Sequence, residues 1–151
     1  MLDSGATMKI GEVAERTGLS LRTIRHYDET GLVVPSARTT GGFRMYTAAE
    51  VARLLVIKRM KPLGYTLEEM ADLLTTLDEL GGPWMPDSDR SYAVREASGS
   101  NRADDLRRLD AYIADADERL TKLRERAAMA EEFARTLRYQ AERHRHESPR
   151  G

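Results

Sequence analysis

The sequence predicts a mostly α-helical chain: a winged helix-turn-helix, then one long helix that pairs with a second copy as an antiparallel coiled coil. Three observations predict it. Capped helical patterns alternate with glycine-bearing stops through the front half of the chain. One stretch around Gly41–Gly42 alternates as a hairpin. From Asn101 to about His146 neither glycine nor proline occurs, and apolar residues recur in heptads. A length of 151 residues accommodates one ordinary domain plus an appendage. With 40% hydrophobic, 32% charged and 6% aromatic residues, the core is modest and much helical surface is exposed.

Residues 1–8 read as a flexible leader, and Met8 is a candidate for the native start. A short helix is predicted over 10–16, with Ile10, Val13 and Ala14 on one face and Gly18 as its stop. Ser20 is a good N-cap for a second helix over 21–30, which Gly31 ends. Leu21 and Ile24 anchor this helix inward with Asp28 on their side, leaving Arg22, Thr23, Arg25 and His26 to point outward. Residues 32–46 read as a β-hairpin: the β-branched run Leu32–Val33–Val34, turn residues Thr40–Gly41–Gly42, then alternation through Phe43–Arg44–Met45–Tyr46. Thr47 with Glu50 and Thr66 with Glu69 form two capping boxes, each opening a helix, with Pro62 and Gly64 between them.

A composition break follows at Gly81. The organisation predicted is a leader 1–8, a head domain 9–78, an irregular linker 79–100, a coiled-coil helix 101–146 and a tail 147–151. The linker holds the single tryptophan, Trp84, near Tyr92. That pair reads either as packing or as part of a small-molecule effector site. In the coil, Leu106, Ile113, Leu120, Ala127, Ala134 and Ala141 repeat every seven residues, and Leu109, Ala116, Leu123, Ala130 and Leu137 fill the intervening register. A helix of this span is roughly 70 Å long, so it needs a partner helix, and no comparable helix exists elsewhere in the chain. Antiparallel pairing centred near Leu123 sets Ile113 against Ala134 and Leu120 against Ala127, large on small; parallel pairing stacks alanine on alanine.

Charge is distributed unevenly. Residues 1–65 carry 10 Lys+Arg and 6 Asp+Glu, and residues 66–151 carry 14 and 19. A basic front suits a polyanion. Two short helices joined by a glycine turn and followed by a hairpin form a winged helix-turn-helix, whose second helix enters a DNA major groove. Arg22, Thr23, Arg25 and His26 then reach phosphates and base edges. Arg38 and Arg44 on the hairpin meet a neighbouring backbone, and Lys61, with Lys58 and Arg59, supplies a third phosphate contact.

The segments Lys9–Ile10–Gly11–Glu12–Val13–Ala14, Leu19–Ser20–Leu21–Arg22–Thr23–Ile24–Arg25–His26–Tyr27–Asp28, Gly42–Phe43–Arg44–Met45–Tyr46 and Leu63–Gly64–Tyr65–Thr66–Leu67 resemble, in order and spacing, the MerR family of transcription regulators. The resemblance implies a homodimer on a pseudo-palindromic promoter element, distorting the spacer so that RNA polymerase, reached through the DNA, engages both hexamers. By motif position it implies Arg25, Tyr27, Arg44 and Tyr46 as DNA-facing residues. His26 stands where that family often has tyrosine. It also supports the antiparallel coil, with Leu106, Leu109, Ile113, Leu120, Leu123, Ala127, Ala130, Ala134 and Leu137 as dimerisation residues. Metal-responsive and redox members use cysteines that this sequence lacks.

With no cysteine in the chain, disulfides, thiolate metal sites and thiol redox sensing are excluded on composition. No cofactor and no metal are expected. No paired carboxylates, nucleophile–histidine pair or phosphate-cradling glycine loop points to an enzyme. No apolar window long enough to span a membrane and no secretory signal appear, so a cytoplasmic location is expected. The competing reading is an architectural DNA-binding protein without promoter-specific control.

Overall fold

The computed structural model describes residues 6–81 and 101–147. The elements run β1 (Met8–Lys9), α1 (Ile10–Thr17), α2 (Leu21–Glu29), β2 (Ala37–Arg38), β3 (Arg44–Tyr46), α3 (Ala48–Met60), a 3-10 turn (Lys61–Leu63), α4 (Leu67–Leu80) and α5 (Arg102–Glu147). They divide into two compact units, Met1–Tyr112 and Ile113–Gly151.

In the first unit, each turn follows from a residue suited to it. The Thr23 amide donates to Ser20 Oγ at 3.1 Å and caps α2. Gly18 ends α1 in the left-handed region at φ 69°, with its amide on the Ala14 carbonyl at 2.8 Å. A Cβ at Gly18 would stand 2.9 Å from Lys58 Nζ, which donates to the Thr17 carbonyl at 2.7 Å. Glycine is favoured there for its backbone angle, and the flexible end of the lysine comes close beside it. Glu50 closes the box at Thr47, accepting from its amide and, at 2.9 Å, its hydroxyl. Glu69 does the same at Thr66, accepting the amide at 2.7 Å.

Two predicted features are corrected. The run Leu32–Val33–Val34 is not a strand, because the amides of Leu32 and Val33 turn back onto the Tyr27 carbonyl at 2.9 and 3.1 Å. They satisfy the C-terminal end of α2, and both side chains drop into the core. Met8 does not belong to a free leader. It starts β1, pairs antiparallel with Tyr46 and is buried. The sheet therefore has three strands in the order β1-β3-β2, with Ala37 opposite Met45 and Arg38 opposite Arg44.

The core gathers Val13 from α1, Ile24 and Tyr27 from α2, Val33, Tyr46 from β3, Val51, Leu54 and Ile57 from α3, and Leu74 from α4. Helix α3 is its centre, with six buried residues in thirteen. The first three turns of α5 belong to this unit. The Tyr112 hydroxyl donates to Asp72 Oδ2 at 2.8 Å, Arg108 reaches Asp72 Oδ1 at 2.6 Å, and the Tyr112 ring lies 6.4 Å from that of Tyr65. Asp105 is buried there.

The second unit, among its described residues, is helix alone. Intrahelical pairs Arg119–Asp115 at 2.7 Å, Lys122–Glu118 and Arg143–Glu147 line its surface. Its heptad residues are largely uncovered, with Ile113 52% and Leu137 53% exposed.

Candidate nucleic-acid interface

Helix α2 presents Arg22, Arg25 and His26 to solvent. Neither arginine forms a hydrogen bond or an ion pair among the described residues. Both charges are thus available to a polyanion without first breaking an internal contact. The His26 ring leans on Tyr27, centroids 5.9 Å apart and planes tilted by 45°. Thr23 is half-buried, and its hydroxyl shares a 2.8 Å hydrogen bond with Ser20 Oγ, so its first task is to hold the start of the helix. The predicted anchoring of α2 is half right: Ile24 is fully buried, whereas Leu21 is 40% exposed, and Tyr27 takes the second inward place.

The wing is built on a tight turn. The Gly42 amide donates to the Thr39 carbonyl at 2.8 Å with Gly42 at φ 77°, and the Thr39 amide donates to the Phe43 carbonyl at 3.0 Å. This places Phe43 at the tip, 64% exposed. Arg38 and Arg44 lie opposite each other on β2 and β3, and both reach the same atom of α2. Asp28 Oδ2 accepts from Arg44 Nε at 2.5 Å and from Arg38 Nη2 at 3.0 Å. Asp28 is nearly enclosed at 10% side-chain exposure, while Arg38 remains half open. The hydrogen bond to Asp28 is the main reason Arg44 holds its proton above its usual value, with burial opposing it.

Two residues expected to face DNA are core instead. Tyr27 is 2% exposed and Tyr46 is fully buried. In both, burial raises the phenol above its ordinary value. The physical reason is the alternation of the two elements: Tyr27 follows Ile24 by one helical step on the inner face, and Tyr46 points away from Met45 into the space under β1. The Tyr46 hydroxyl has no hydrogen-bond partner among the described residues.

The structure therefore joins Arg38, Arg44 and the end of α2 through Asp28, and leaves Arg22 and Arg25 exposed on α2. Lys61 is exposed at the start of the 3-10 turn, and no hydrogen bond or ion pair ties it to the others. Lys58, read from sequence as a phosphate contact, instead braces the end of α1. Asp28 was legible only as an inward residue; the signal for its role was a carboxylate on the inner face of a helix followed by two wing arginines. Trp84 and Tyr92 lie outside the described residues. Among the described residues no group of three or more His, Asp or Glu is placed to hold a metal, and no helix is long and apolar enough to cross a membrane.

Comparison with known proteins bears on this geometry. Residues 8–77 match the MerR HTH family regulatory protein domain. A mercuric resistance operon regulatory protein of Bacillus cereus is 36% identical over 111 residues, covering 74% of this chain and 83% of the relative. The N-terminal part of MtaN, the Bacillus subtilis multidrug transporter activator, is similar in structure, with a TM-score of 0.50 at 27% identity over 86% of this chain and 97% of that one. HiNmlR, described as a MerR family regulator lacking the sensor domain and bound to promoter DNA, gives a TM-score of 0.59 at 18% identity over 90% of this chain and 94% of that one, a likeness of fold.

Proposed function

The chain belongs to the MerR family of transcription regulators, proteins that bind promoter DNA, and on that premise we propose that it works as a homodimer on a pseudo-palindromic promoter element. The head 9–78 is the DNA-binding domain and the helix 101–146 the dimerisation element. In this reading the seam of α5 pairs antiparallel with its copy, large residues against alanines, and sets two α2 helices into successive major grooves. The observation that carries it is the coexistence of two unmet needs in one chain. Among the described residues Arg22 and Arg25 have no counter-charge, and the apolar seam along α5 is largely exposed.

Arg22, Arg25 and His26 are the groove-facing residues, Arg38 and Arg44 the wing contacts, and Lys61 a flanking phosphate contact. The dimer distorts the spacer between promoter hexamers and so acts on RNA polymerase through the DNA. Bending a site of 20–30 base pairs by 40–90° costs on the order of 1–6 kcal/mol, within reach of the phosphate contacts of two heads. No input through a thiolate-bound metal or a thiol redox couple is part of this reading, since none of the 151 residues is cysteine.

Base-resolution footprinting across a genome tests the proposal. One or a few high-affinity sites centred on promoter spacers are expected. Broad, sequence-tolerant coverage would replace promoter control with an architectural role.

A further inference from the structure

We propose that Asp28 is a positioning residue for sequence-specific DNA binding: a single carboxylate oxygen pins the wing to the end of the recognition helix through Arg38 and Arg44. The inference rests on the DNA-binding reading above and deepens it.

An acidic residue in a DNA-binding face is an electrostatic liability, because it repels the same phosphates that its neighbours attract. Asp28 is placed where that liability is smallest and its use greatest. Its side chain is nearly enclosed, and Oδ2 accepts from Arg44 Nε and Arg38 Nη2 at 2.5 and 3.0 Å. The arginines come from adjacent strands and are cross-strand partners, so one atom fixes both strands of the wing relative to α2. Bonding through Nε rather than the tip leaves the Arg44 terminal nitrogens for another acceptor. The wing otherwise joins the sheet by a few strand residues only, β2 being two residues long. Without the pin, both arginines keep their charge but lose their direction.

Glu29 and the Tyr46 phenol act electrostatically on Arg44, and Asp28 and Glu50 act on Tyr46. The Tyr46 hydroxyl is buried and without a partner.

Asp28→Asn removes one negative charge and the strong acceptor together, which separates positioning from simple electrostatics. The probes are the duplex that the wild-type protein enriches from a random library and an unselected duplex of equal length. Positioning predicts about a tenfold loss on the enriched duplex with unchanged or tighter binding to the unselected one. It also predicts that Arg44→Ala adds little in the Asp28→Asn background, because the two act as a unit. Tighter binding to both duplexes would overturn the proposal, since that is what loss of a repulsive charge alone gives.

Asp28→Glu keeps the charge and displaces the carboxylate by one methylene, and intermediate discrimination is expected; full wild-type discrimination in both variants also overturns the pin. Should the variants not fold, the wild-type protein still decides. The Arg44 Nε proton is expected to exchange with solvent at least tenfold more slowly than that of Arg25 by nuclear magnetic resonance, and equal rates would refute it. If the wild-type protein enriches no duplex at all, the DNA-binding reading fails and this proposal with it. Enrichment without dependence on Asp28 defeats this proposal alone.

Discussion

Leu54 in α3 and Leu137 in α5 are the same residue in helices of the same protein, yet the first is wholly buried and the second is half exposed. The contrast extends across the two units. In the head, Ile24, Tyr46, Ile57 and Leu74 join one core from four different elements, so this unit covers its own apolar surface. In residues 113–147 the apolar side chains lie along one helix, and a straight helix cannot fold back onto its own stripe. At about 25 cal/mol per Å² of apolar surface, such a ridge is a standing driving force for association. A head whose apolar side chains are met inside, and a helix whose apolar side chains are left exposed among the described residues, is the division of labour that the proposed dimer would exploit.

The sharpest way to break that contrast is Leu120→Asp. A charge in the seam of both copies is expected to convert dimer to monomer and to lower operator affinity by at least a hundredfold, while the circular dichroism of the head persists. Multi-angle light scattering checks it, and a mutant that stays dimeric places the mating surface elsewhere. The converse change, Leu54→Ala, strikes the self-sufficient unit. It is expected to cost about 3 kcal/mol in denaturant unfolding by leaving a cavity, without altering the association state of molecules that remain folded.

Arg25→Ala touches neither core nor seam. It is expected to weaken binding to all duplexes and to flatten the dependence of log affinity on log salt by about 1 per head, as for a lost phosphate contact. A titration series in salt measures it, and an unchanged slope removes Arg25 from the backbone contacts.

Two smaller effects sharpen the picture inside the first unit. Glu79 is raised above its ordinary value chiefly by its hydrogen bond to the buried Asp105, with burial adding to it and Arg108 opposing. A raised carboxyl contributes stability while protonated, and that contribution is lost as pH rises through the raised value. Glu79→Gln is therefore expected to increase the melting temperature at neutral pH, with the gap narrowing towards acid. The reverse trend in a pH series of thermal melts would contradict the pairing. Tyr46→Phe removes a buried hydroxyl that has no partner, and is expected to leave stability unchanged or raise it by up to about 1 kcal/mol. A clear loss of stability in denaturant unfolding would contradict a hydroxyl without a partner.

The helices were legible because their signals are local. Ser20, the Thr47–Glu50 and Thr66–Glu69 boxes, and the glycine stops act within a few residues of the helix ends they define. The site was legible by half. Arg22 and Arg25 face outward by helical periodicity alone, whereas Tyr27 and Tyr46 carry the same motif resemblance but turn inward. The motif sets both beside the arginines without saying whether a tyrosine serves by touching DNA or by filling space. The missed strand β1 and the false strand at Leu32–Val34 have one cause: a two- or three-residue segment has too few side chains to announce which backbone will receive its amides.

By itself the sequence determined the order of the helices, their caps and the apolar ridge of α5, since each depends on spacing along one helix. Only the tertiary structure decided that Asp28 joins two wing arginines across 10 and 16 positions, that Lys58 reaches the end of α1 across 41, and that Asp72 receives Tyr112 across 40. Such contacts depend on where separate elements come to rest in space, and local periodicity carries no record of that distance.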